Sequence, residues 1–305
     1  MCLPVLIITH ARPLLFEQVF EKVIEYTSDN IMVYCDGPRH EEDIQSQKQI
    51  IKLVKDKIAL GCKIQFLQPS ENLGCKNAVI AAISHFFEEH EKGIILEDDC
   101  IPSEAFFEFC GYGLEKYKND YRIMSICGTN VVTNEIDNED SYLFSSIALM
   151  WGWASWRRAW NKYDVSMASW TEQNKNDILY SISATNWLEK RYWTRLFNFY
   201  KFDLKNANSW DYQWILSCIL GSGLTVVPSE NLISNVGFDA HATHTKNSKD
   251  PLSKLAISNT FKVTKKPLNV LVNREYDKKL HKMWFKITLT NYLKHSIKKF
   301  LNMGK

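Results

Sequence analysis

The sequence predicts an α/β protein with a mostly parallel central sheet flanked by helices. Three observations carry this expectation. Short apolar runs alternate with longer helical patterns through the first hundred residues, as in right-handed βαβ units. Runs such as Ile31-Met32-Val33-Tyr34-Cys35 are continuously apolar, as strands buried on both faces are. Each run ends in polar or charged residues, and the carboxyl ends of such strands are where ligands bind.

The elements follow in order. Residues 3–9 form the first strand. Pro13 opens a helical pattern to about Tyr26, with Leu14, Leu15, Val19, Val23 and Ile24 at helical spacing. Residues 31–35 are the second strand, a polar helix covers roughly 40–58, and 63–67 are the third strand. Cys75 to His90 is a helix with Val79, Ala82, Ile83, Phe86 and Phe87 on one face, and Gly93 to Leu96 is the fourth strand. Further strands are expected at 121–127, 142–150 and 224–228, with helices at 185–200 and from about Ser209 to Leu220. The stripe Trp193, Leu196, Phe197 and Tyr200 reads as core.

Composition narrows the class. A chain of 305 residues, 45% hydrophobic and 24% charged, is an ordinary globular composition and long for one compact domain. The 8 cysteines show no CxxC spacing, which argues against a zinc site or a disulfide framework and fits a reducing cytosol. The opening residues lack a basic n-region and read as a strand rather than a signal peptide; no run approaches the ~18 apolar residues of a membrane span. The net charge of +2 hides a split: from Lys246 onward 15 Lys and Arg face 3 Asp and Glu, a net of +12, leaving −10 on the rest.

The strand ends carry the chemistry. The fourth strand runs straight into Glu97-Asp98-Asp99, three acids that cannot be buried unpaired and must lie at its exit. Taken alone this is an acidic loop. Crowded carboxylates also suit a hard cation, Mg2+ or Mn2+. The first three strands end at Thr9-His10-Ala11-Arg12, at Asp36-Gly37 and before Asn72-Leu73-Gly74, all on the same edge. Arg12 can hold a phosphate or stack on a base, Asp36 can accept from a base or ribose, and Asn72 to Gly74 precede a helix N-terminus that favours anions. Together they describe a nucleoside diphosphate site. Neither GxGxxG after the first strand nor GxxxxGK[ST] is present.

On these residues the chain resembles GT-A glycosyltransferases, the nucleotide-diphospho-sugar transferase superfamily, in a Rossmann-like fold. Glu97-Asp98-Asp99 resembles the DxD motif in its N-acetylglucosaminyltransferase I-like variant. The resemblance implies Asp99 as direct metal ligand and Thr9, His10, Arg12, Asp36, Asn72, Gly74, Lys76 and Asp98 as donor contacts. Trp151-Gly152-Trp153-Ala154-Ser155-Trp156-Arg157-Arg158-Ala159-Trp160 resembles a segment of bacterial sugar transferases that lies near the donor sugar, implicating Trp153 and Arg157; a Trp-rich run is otherwise core packing. Asp211, in Ser209-Trp210-Asp211, is a helix cap on ordinary grounds. In inverting relatives an acid there is the general base. His241 and His244 lie on a later loop, and the resemblance favours His244 as completing the metal site.

The expected organisation is a catalytic domain over 1–245, with a nucleotide half (1–100) and an acceptor half (101–245), and a basic, helical C-terminal extension over 246–305. That extension reads either as a solvated helix packed on the domain or as an amphipathic anchor on an anionic membrane face; no nucleic-acid motif is present. The implied activity is metal-dependent, inverting transfer of a sugar from a UDP-linked donor to a hydroxyl of a glycan or lipid-linked acceptor, in the cytoplasm or on the inner membrane face. The alternatives are a sugar-nucleotidyltransferase, which the absence of a Gly-rich basic loop after the first strand disfavours, and a carbohydrate-binding scaffold using the tryptophans.

Overall fold

The computed structural model describes residues 3–133, 135–136, 139–203, 206–238 and 251–293. The first half runs β1 (Val5–Thr9), α1 (Pro13–Tyr26), β2 (Ile31–Cys35), α2 (Glu41–Ala59), β3 (Ile64–Leu67), α3 (Gly74–Glu89) and β4 (Lys92–Glu97). There follow β5 (Cys100–Pro102), α4 (Glu104–Lys116), β6 (Ile123–Cys127), β7 (Tyr142–Ser145), β8 (Trp153–Trp156) and a short α5 (Arg157–Trp160). The chain continues through α6 (Lys175–Ser181), α7 (Trp187–Phe202), α8 (Asp211–Leu220), β9 (Leu224–Pro228), β10 (Ile233–Asn235) and α9 (Arg274–Met283).

Eight strands form one sheet in the order β3-β2-β1-β4-β8-β6-β9-β7. The four N-terminal strands are parallel, β8 runs antiparallel to both β4 and β6, and β7 runs antiparallel to β9. The alternating side chains explain the continuous apolar runs. Leu6, Ile8, Met32, Tyr34 and Ile95 join the core that includes α3, α7 and α8, while Val5, Ile7, Ile31, Val33, Ile94 and Leu96 join the core with α1 and α4. Burying both faces leaves only the strand ends for polar groups, and β5 pairs with β10 in a small ribbon just beyond the end of β4.

The Trp-rich run is a strand in the middle of this sheet. Trp153, Trp156 and Trp160 are buried, and Trp153 packs on Trp210 and Trp214 at ring-centroid distances of 5.8 and 5.5 Å. Gly152 has φ +62°, and a Cβ there would lie 2.3 Å from Ile233 Cδ1. The close approach that this glycine permits is therefore to the protein's own chain. The strand expected over 142–150 stops at Ser145, whose hydroxyl accepts from the Ile147 amide at 3.0 Å and so takes the place of a ladder bond.

The described part of the basic extension is stitched to the body. The Ser141 amide donates to the Lys265 carbonyl and the Asn273 amide to the Phe144 carbonyl, at 2.9 and 2.7 Å. Tyr276, Asp277, Leu280 and His281 of α9 are buried. Asp277 accepts from the hydroxyls of Ser145, Ser146 and Ser183. Residues 294–305 lie outside the described residues. Among those described, no helix is long and apolar enough to cross a membrane.

Candidate active site

The exit of β4 places its acids on different sides. The register Ile8↔Glu97 sets Glu97 on the α3 face of the sheet, and Asp98 turns the other way, where its Oδ2 accepts from the Thr9 hydroxyl at 2.7 Å. Arg12, at the start of α1, lies between the next two acids: Nη2 donates to Asp98 Oδ1 and Nη1 to Asp99 Oδ2, the latter at 3.0 Å. Burial alone would lower the Arg12 pKa, and Asp98 and Asp99 instead raise it. Burial raises that of Asp98, against the opposing pull of Arg12. The positive charge that sequence reasoning required among these acids is thus supplied, for two of them, by a guanidinium.

Glu97 feels that charge only at a distance. Its carboxyl makes no hydrogen bond among the described residues, and burial, then Asp99 and Asp98, push its pKa up to about 8. The β5–β10 ribbon closes the far side of Asp99. The Val236 amide donates to the Asp99 carbonyl at 2.9 Å, the Asn235 amide side chain reaches Asp99 Oδ1 at 3.5 Å, and a Cβ on Gly237 would fall 2.2 Å from Oδ2. Only glycine leaves that carboxylate room.

Asp36 does something other than expected. Its carboxylate is buried and accepts from the Gly37 and Leu73 amides on Oδ1, at 2.8 and 2.9 Å. On Oδ2 it accepts from Asn72 Nδ2 and the Gly74 amide, at 2.8 and 3.1 Å. Four donors saturate a carboxylate. Asp36 therefore fills the N-terminus of α3 and clamps the β2 and β3 loops together, with no acceptor capacity left for a base or ribose, and Asn72 and Gly74 are spent on the same clamp. Gly37 permits it, since a Cβ there would meet the Glu71 carbonyl at 2.3 Å. His10 joins from the side, its Nε2 3.1 Å from the Gly37 carbonyl and 3.5 Å from Asp43.

Asp211 is the first residue of α8 and comes from a distant part of the chain to the Glu97 side. Its Oδ1 accepts from the Ser209 hydroxyl and, at 2.9 Å, from the Tyr212 amide, and it stays half-buried; the N-cap position itself is Trp210, without a side-chain cap bond. Its charge acts on Glu97 and on Cys75, whose thiol burial first, then Glu97 and Asp211, push up to about 12. Four tyrosines surround it. Burial and then Asp211 raise the pKa of Tyr163, Tyr200 and Tyr212; Tyr192, hydrogen-bonded to Tyr212, is pushed up to about 12, chiefly by burial. All four stay protonated donors at neutral pH. Sequence reasoning missed this ring. Tyr192 and Tyr200 sit eight residues apart on α7, a two-turn spacing that would have put them on one face.

Not every expected residue converges here. Trp153 is buried beneath Trp210, inaccessible to a ligand. Arg157 follows the far end of β8, which pairs with Lys92 at the start of β4. Five residues of strand, roughly 17 Å, separate it from Glu97. There it donates to the carbonyls of Phe87 and Glu88 and pairs with Glu91 at 3.0 Å. Both are corrected from donor contacts to framework residues. Lys76 lies half-buried in the first turn of α3, without an ion pair among the described residues, and burial lowers its pKa. His241 and His244 lie outside the described residues.

The donor set bears on a metal. Among the described residues no three His, Cys, Asp or Glu side chains converge as a ligand cage. Asp98 is committed to Thr9 and Arg12, leaving the half-buried Glu97 and Asp99, the latter also bonded to Arg12, as oxygen donors at the strand exit. Hard cations such as Mg2+ are commonly held by one or two carboxylates plus substrate phosphates, so this set fits a cation that arrives with a diphosphate.

No protein-family model matches the chain, and no curated protein matches it. Solved structures similar in outline include the mannosyltransferase PcManGT from Pyrobaculum calidifontis in complex with GDP-Man and Mn2+, at 11% identity and a TM-score of 0.40, covering 73% of this chain and 75% of that one. Mannose-1-phosphate geranyltransferase from Thermus thermophilus gives 11% identity and a TM-score of 0.36, covering 75% and 74%. HddC from Yersinia pseudotuberculosis complexed with GMP-PN gives 12% and 0.30, covering 51% and 77%. Likeness at this level carries no argument about activity, which rests on the chain's own residues.

Proposed function

We propose that the protein is a metal-dependent glycosyltransferase that moves a sugar from a nucleotide diphosphate to an acceptor hydroxyl, with inversion. The observation that carries this reading is the cluster of Glu97, Asp98 and Asp99 at the exit of β4, where Arg12 is already engaged by two of the acids and the charge of Asp211, from the start of α8, still acts on Glu97. Such an excess of negative charge at the carboxyl edge of parallel strands calls for a cation and its phosphate ligand. Asp99 and Glu97 would hold Mn2+ or Mg2+, which when bound offsets charge on the leaving diphosphate. Arg12 would turn from Asp99 toward that diphosphate. Asp211 would take the acceptor proton, kept ionised by the helix N-terminus, with tyrosine hydroxyls orienting the sugars.

The scaffold alternative loses its main feature, since Trp153, Trp156 and Trp160 present no face to solvent. The test is a thermal-shift screen of UDP-, GDP-, dTDP- and CMP-sugars with and without Mn2+. One nucleotide class should raise the melting temperature only with metal, and Asp99→Asn should abolish that rise. Stabilisation unaffected by EDTA would sink the metal assignment, and no response to any nucleotide sugar would sink the transferase reading.

A further inference from the structure

A groove of about 400 Å³ runs between α7 and the segment that follows α9. Leu188, Tyr192, Leu196 and Phe199 form one wall, and Ile287 and Tyr292 form the other. Arg191, Arg195 and Lys286 stand in the same lining, which contains no acid among the described residues. Arg191 also lies over the Tyr292 ring at 5.6 Å. The walls are apolar and the charges are all positive, so the complementary ligand has an apolar chain and an anionic head.

Around the groove the surface stays apolar. Trp187 is 58% exposed, Phe202 70%, Leu289 57% and Leu293 50%, a set that water alone does not explain. Tyr192 ties the groove to the candidate active site: its ring lines the groove, while its hydroxyl bonds to Tyr212 and feels the charge of Asp211. Tyr192 is thus shared between the groove and the surroundings of Asp211.

We propose that this groove binds a single-chain anionic amphiphile, a phosphate ester of a long apolar alcohol, with the chain between Leu196 and Ile287 and the phosphate against Arg191 and Arg195. That such a molecule is the acceptor's anchor, with its saccharide reaching Asp211, rests on the transferase reading above; binding itself does not. Arginine is suited to the phosphate because its planar fork meets two oxygens at once.

The experiment is calorimetric titration of the full chain with dodecyl phosphate below its micelle concentration, beside inorganic phosphate and dodecyl maltoside. Dodecyl phosphate should bind at least tenfold tighter than either control. Phe199→Glu and Arg191→Ala, both surface changes, should each weaken it at least fivefold while leaving the nucleotide-sugar thermal shift unchanged. Equal binding of dodecyl maltoside, or of inorganic phosphate, overturns the proposal. So does binding to phosphatidylglycerol vesicles that Phe199→Glu leaves intact and dodecyl phosphate does not compete, because that describes a membrane face without an occupied groove. Loss of every nucleotide response with amphiphile binding retained removes the transferase reading and leaves the groove assigned.

Discussion

Two regions of this protein bury carboxyl groups, and they treat them in opposite ways. Where α9 docks, Asp277 is enclosed and accepts from three serine hydroxyls and the Ser146 amide. Beside it Glu189 closes a capping box on α7 and faces His281 at 3.6 Å. Against the upward push of burial, the neighbouring His281 ring and the bonds from the Asn186 and Thr185 amides bring Glu189 down to about 2. At the exit of β4, Glu97 is half-buried and left without a hydrogen-bond donor among the described residues, and its pKa goes up to about 8. A structural acid is surrounded by donors from the chain; an acid kept short of partners is one the fold holds ready for something brought to it.

The comparison can be broken at its largest effect first. Asp211→Asn should cut sugar transfer by about 10²- to 10⁴-fold, the usual worth of a general base, with donor affinity by calorimetry nearly unchanged. Transfer that survives would move the base elsewhere. Next, Asp277→Ala strands three buried serine hydroxyls and should lower unfolding stability by about 3 kcal/mol, read from the urea midpoint. A loss comparable to that from Asp99→Ala would erase the distinction between the two regions.

Titration gives the contrast a sign. Glu97 has a folded pKa raised from 4.5 to about 8, so its contribution is fully present below about pH 4.5 and is lost as pH rises through about 8. Glu189, lowered from 4.5 to about 2, contributes stability above about pH 4.5 that is lost as pH falls toward 2. In EDTA, Glu97→Gln should flatten the decline in melting temperature between pH 5 and 8, and Glu189→Gln should flatten the acid limb alone; exchanged phenotypes would refute the assignment. Smallest of all, Arg157→Ala should cost about 1 kcal/mol through three lost hydrogen bonds and leave nucleotide-sugar affinity within twofold. A tenfold loss of affinity would return Arg157 to the donor site.

Much of the sheet was legible because its signals are local. The run Ile31 to Cys35 and the pattern from Pro13 to Tyr26 match β2 and α1 residue for residue. The acids after Leu96 had to lie at a strand exit on charge cost alone, and they do. What was not legible depends on who meets whom. Trp153-Ala154-Ser155-Trp156 suggested a ligand surface, and only its insertion between β4 and β6 makes it interior. Asp36 suggested a nucleotide contact, and only the approach of Leu73 and Gly74 from a separate loop turns it into a clamp. The stretch from Cys100 to Lys116, a strand and a helix in the structure, carries its Phe residues so densely that no single face stands out.

The position of β8 also governs how the chain assembles. As synthesis proceeds from the N-terminus, β1 to β4 are complete some sixty residues before Trp153 emerges. Until then β4 is a bare edge, Gly93-Ile94-Ile95-Leu96, open to any other strand. A fragment ending near residue 100 would therefore expose a sticky apolar border. Closure of that border is a long-range event, the slow kind of step in sheet proteins.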